Sequence, residues 1–140
     1  MAEGLYIGLD LAYKVNNAGG VAENVVVVQD TNPYEAKLPG AANAGKIVGV
    51  TIEKTTETGR SGAVRMGGLV PIKAASAITA GDLVNVADTQ GRVKTVSETA
   101  GATDTLVNVV GKAVTTVANA NELVMVYLTP GVTYLIPKTP

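Results

Sequence analysis

The sequence predicts an all-β chain: a compact β-barrel or sandwich built from two similar strand-turn-hairpin halves, with an N-terminal strand or arm. Three observations carry this. Val, Thr and Ile number 22, 16 and 6, while Phe and Trp are absent, and β-branched side chains favour a pleated, half-buried surface over a helix. Apolar residues recur at every second position in several segments, the period of a strand with one buried face. Clusters of Gly, Asn and Asp end those segments before a helix-length pattern develops.

A chain of 140 residues and 14.2 kDa fits one domain and is long enough to bury its own core. Apolar residues make up 46% and charged ones 16%, against a usual charged share of about 25%. That is too apolar for a disordered segment and sparsely charged for a lone monomer, so a partner surface is expected. There is no His and no Cys. Ser-His-Asp and Cys-His sets cannot be assembled from this chain, nor can metal sites with nitrogen or sulfur ligands. Eleven basic and twelve acidic residues leave a formal charge of -1, with no basic cluster; nucleic-acid binding needs concentrated positive charge. The opening Met1-Ala2-Glu3-Gly4 has no basic n-region, and no apolar run approaches the ~18 residues of a membrane span. The expectation is a soluble, unprocessed chain that is not an enzyme and has no cofactor, metal, nucleic-acid or membrane partner.

Along the chain, Leu5, Ile7, Leu9, Leu11, Tyr13 and Val15 form an unbroken period-two strand, ended by Asn16-Asn17-Ala18-Gly19-Gly20. It reads either as a strand on its own core or as an arm that pairs with another chain, because an N-terminal strand can add to an exposed sheet edge. These six residues are the candidate contact with a partner chain. Val25 to Val28 form a continuous apolar run, short enough only for a strand buried on both faces. Tyr34 to Gly45 has room for at most a turn of helix. Val48, Val50 and Ile52 alternate, as do Val64, Met66, Val70 and Ile72, and the Gly-bearing loop 58–62 between them marks a hairpin.

The second half parallels the first. Leu83 to Gln90 follows the pattern of Val25 to Asn32, Val110-Gly111 that of Val48-Gly49, and Val124 to Leu128 that of the strand at Val64. We therefore expect an N-terminal arm at 1–24 and a β-barrel domain at 25–140, with an internal repeat of about 25–73 and 83–131. In the tail, Pro137 denies a ladder its donor, so residues 133–140 read as an edge or a docked tail. Asp30 and Asp88 occupy matching turns, where an Asp accepts backbone N–H groups; a calcium loop would need more oxygens at close spacing. The glycine pairs lack the following helix and Lys of a phosphate loop.

Within residues 73–128, four groups of residues form a recognisable set: Ala75-Ile78-Ala80-Gly81-Asp82-Val84, Asp88-Gly91-Val93, Val110-Gly111-Ala113 and Glu122-Val124-Val126-Leu128. The set resembles small capsid decoration, or cement, proteins of tailed bacteriophages. Residues 48–72 fit the same family more loosely, and residues 1–24 carry none of it. The resemblance implies a β-barrel-like structural protein, commonly a homotrimer, made in the host cytoplasm. It would bind the outside of a phage head and bridge neighbouring major capsid subunits. The alternating strand from Leu5 to Val15 then becomes the candidate capsid or intersubunit contact. Two alternatives stand beside this. The Ile78-Thr79-Ala80-Gly81-Asp82 turn also resembles SAF-like accessory domains, which normally accompany a catalytic domain. A carbohydrate-binding module would be expected to bring an aromatic platform and an export signal.

Overall fold

Alternating apolar residues become nine strands in the computed structural model, which describes residues 8–140 and has no helix among them. The first half supplies β1 (Leu9–Val15), β2 (Val26–Gln29), β3 (Glu35–Lys37), β4 (Ile47–Thr51) and β5 (Arg60–Lys73). The second supplies β6 (Leu83–Val86), β7 (Val93–Thr95), β8 (Thr105–Ala113) and β9 (Leu123–Ile136).

β1, β3, β2, β4 and β5 lie side by side in that order, and β1 pairs with β5 to close a five-stranded barrel. β1 runs antiparallel to β5 from Leu9 opposite Gly67 to Val15 opposite Arg60, and parallel to β3 at Lys14–Glu35 and Val15–Ala36. Its inner residues Tyr13 and Val15 pack with Val21, Val25, Val27, Ala36, Val48 and Val64. Leu5 and Ile7 lie outside the described residues. Burial of these side chains at roughly 25 cal/mol per Å² of apolar area is the main force holding β1 in place.

The second half follows the same circuit. The end of β5 pairs with β9, then come β8, β6 and β7, and a single parallel bridge from Ala74 to Val93 joins the ends. The registers correspond: Val28–Lys37 with Asn85–Lys94, Val27–Gly49 with Val84–Gly111, and Thr51–Val64 with Ala113–Val126. Thr55 and Val21 exchange backbone bonds as Val117 and Ile78 do. Left-handed residues correspond as well, Asn24 with Gly81, Tyr34 with Gly91 and Gly59 with Asn121. In this match β1 is the counterpart of the end of β5, since Val15 bridges Ala36 as Ala74 bridges Val93.

The valine run is buried on both sides for a definite reason. Val25 and Val27 face the first-barrel core, whereas Val26 points the other way into the second cluster with Val50, Val70, Ile72, Val84 and Val126. Residues 34–45 hold the short strand β3 and no helical turn. The tail strand is not separate: β9 runs on to Ile136, with Thr129, Pro130 and Gly131 bulged opposite Val110. A proline is tolerated there because the bulge asks it for no ladder donor.

Candidate interface surfaces

The second half turns an apolar sheet face outward. Leu69, Tyr127, Lys112 and Leu83 stand in one cross-strand row on β5, β9, β8 and β6. Tyr127 and Leu83 are exposed, as are Leu123 and Val114 nearby, and Met125 lies between them on β9 half-buried. The matching positions of the first barrel carry Ser61, Ala63 and Arg65 in place of Leu123, Met125 and Tyr127. One scaffold therefore shows two outer chemistries. Clustered exposed apolar side chains of this kind mark a surface that meets a partner.

A second surface is the two-stranded ribbon made by the start of β8 and the end of β9, running from Val109–Val132 to Thr105–Ile136. Leu106 and its cross-strand partner Leu135 are both exposed, and so are Val132 and Tyr134 on the other face. Among the described residues, this stretch of β9 pairs only with β8. Among those residues its other edge has no ladder partner, the feature that invites strand addition.

The candidate contact strand divides. Leu9 and Leu11 are exposed, at 59% and 39%, whereas Tyr13 and Val15 fill the chain's own core. The hydroxyl-bearing ring of Tyr13 also lies 5.9 Å, centroid to centroid, from that of Tyr34. The outward ribbon and the β9 face escape a reading of the sequence. Leu123, Met125 and Tyr127 alternate with the buried Val124, Val126 and Leu128, so both faces of β9 look like core.

Several carboxylates serve the scaffold. The Arg65 guanidinium donates to both oxygens of Asp10, at 2.8 and 3.2 Å, and this holds the Asp10 carboxyl below its ordinary range. Asp30 is held low chiefly by the Asn16 side-chain amide at 3.1 Å, helped by the Thr31 N–H at 2.8 Å and by Lys37. Asp88 Oδ1 accepts the Gln90 N–H at 3.0 Å and its Oδ2 meets Arg92 at 2.8 Å. Asp82 caps its turn backward, accepting from the Thr79 N–H at 3.1 Å. A cavity of about 250 Å³ between the halves has Lys73, Gln90, Arg92 and Asn121 among its lining residues and no carboxylate. Among the described residues no group of three His, Cys, Asp or Glu is placed to hold a metal.

Solved structures share this fold. One is the head fiber gp8.5 N base in bacteriophage phi29, with a TM-score of 0.62 and 16% identity, covering 88% of this chain and 95% of that one. No curated protein matches the sequence. The sequence model of one family, described as phage cement protein, matches residues 7–128. A match over so much of the strand circuit, both halves included, makes this chain a member of the phage cement protein family.

Proposed function

We propose that the chain binds the exterior of a phage capsid as a homotrimer and bridges neighbouring major capsid subunits, strengthening the shell by adhesion without covalent chemistry. The observation that carries this reading is the family match together with the apolar outer face around Leu123 and Tyr127. That face is the surface for the capsid. A cement protein needs affinity and no turnover, and three linked copies multiply weak contacts by about 10²–10⁴ through avidity. Production in the host cytoplasm and assembly onto the finished head follow from the same reading. The halves correspond so closely in register that we take 8–140 as one domain with a duplicated unit, β1 opening the first copy.

Sedimentation of purified protein with empty expanded heads tests this. Co-sedimentation in a saturable ratio, with heads that withstand higher temperature, is the expected result. Heads that sediment without the protein, or that bind it without any gain in thermal resistance, would reject the cementing role.

A further inference from the structure

Correspondence between the halves exposes one contact that is made in the second and unmade in the first. The end of the second circuit at Val70, Val86 and Leu128 is buried. Ala44, just before β4, and Ile47, its first residue, pack on the core cluster that contains these residues. Asn43 fixes that segment: its N–H donates to the Val86 carbonyl at 2.8 Å, and its Oδ1 accepts from Asn85 Nδ2 at 3.3 Å and from the Asn108 N–H at 2.9 Å.

The same end of the first barrel is open. Leu11 pairs with Val64 and faces the barrel interior beside it, yet is 39% exposed; its counterpart Val70, paired with Val126, is 0% exposed. Gln29 and Met66 correspond to the buried Val86 and Leu128 and are only half-buried. A groove of about 390 Å³ lies against Gln29, Met66, Tyr13 and Val48 and is walled on its other side by Lys46, Ile47 and the chain's own β9 bulge at Pro130 and Gly131. The segment that corresponds to Asn43–Ile47 is Thr105–Val109, the β8 strand of the ribbon, and Leu106, which stands where Ala44 does, is 58% exposed.

We propose that the ribbon of one chain closes the open first-barrel end of a second copy of this chain, making between chains, through Leu106, the contact that Ala44 makes within one; Val109, the counterpart of Ile47, stays in its own core. Leu106 and Leu135 are the donor surface and Leu9 and Leu11 belong to the acceptor. The occupant is a second copy because the chain already contains this contact once, between two units of the same fold. Residues 129–136 carry no charge to protect their edge, and a two-stranded ribbon with apolar faces is a poor free-standing element. Donor and acceptor are different surfaces, so copies join head to tail and close into a ring when the rotation allows. The inference rests on the homo-oligomer proposed above and is independent of capsid binding.

Sedimentation velocity on the purified full chain and two variants tests it. Leu11→Asp spoils the acceptor, and Leu106→Asp with Leu135→Asp spoils the donor; the altered side chains are exposed, so unchanged circular dichroism is expected. Each variant alone should be a monomer, and mixing the two should double the mass, because one intact donor then meets one intact acceptor. Variants that stay monomeric after mixing overturn the head-to-tail contact while leaving a wild-type oligomer intact. A monomeric wild type overturns both. The chain has no Cys, so a Leu11→Cys, Leu106→Cys variant treated with a short bismaleimide gives a check that buries no charge. Covalent multimers are expected, and chains linked only within themselves count against the proposal.

Discussion

Gly49 and Gly111 sit at the same place in the two halves, each so close to a carbonyl across the ladder, that of Arg65 or Tyr127, that a Cβ would collide with it. The neighbouring atom is backbone and cannot swing aside. Gly111→Ala is therefore expected to cost about 1–3 kcal/mol, read as a lower urea midpoint with an unchanged slope. An unaltered midpoint would mean that the β8–β9 ladder yields easily there. On the outer face the expectation is reversed. Leu123→Asp and Tyr127→Asp change side chains already in water, so stability should move by no more than about 0.5 kcal/mol. Affinity for expanded heads should fall by tenfold or more, because aromatic anchors dominate interfaces. Binding that survives both substitutions would move the capsid contact elsewhere on the molecule.

Period two in a strand reveals which residues share a face but not what that face meets. For β1 the alternation from Leu5 to Val15 was legible, and its partner was not. The strand lies between β3 and β5 and contributes Tyr13 and Val15 to the core. An independent arm could be deleted harmlessly. Removal of residues 1–15 from this barrel is instead expected to lower the melting temperature by many degrees or abolish folding, since it opens the ring and strips β5 of a seven-residue partner. A truncated chain that melts like the full one would support an independent arm instead. The hairpin of β4 and β5, the two-faced burial of Val25 to Val28 and the turn roles of Asp30 and Asp88 were readable, because local pattern decides them. The ribbon and the β9 outer face were not. Apolar residues alternate there with apolar residues, and only the pairing order shows which row is left in water.

For the molecule as a whole, the acids predict how stability follows pH. Asp10 and Asp30 titrate lower in the folded chain than in the unfolded one. Glu98 does too: burial raises its pKa, but bonds from Lys94 and Asn85 outweigh that. The unfolded chain therefore binds more protons in the acid range, and stability rises with pH there. The contribution is complete above the unfolded carboxylate values of about 4 and disappears as pH falls through the lower folded values. With no His in the sequence, no side chain should titrate between about pH 5 and 8. The melting temperature should be level over that range and fall below about pH 4, with a shallower fall in Asp10→Asn. A step near neutrality would contradict this linkage.

The adhesive role is tested most directly by cryo-electron microscopy of expanded heads with and without the protein, compared as a difference map. Cementing requires added density on the outer surface that touches at least two adjacent major capsid subunits and places β9 against the shell. Density confined to a single subunit, or lying inside the head, would contradict it.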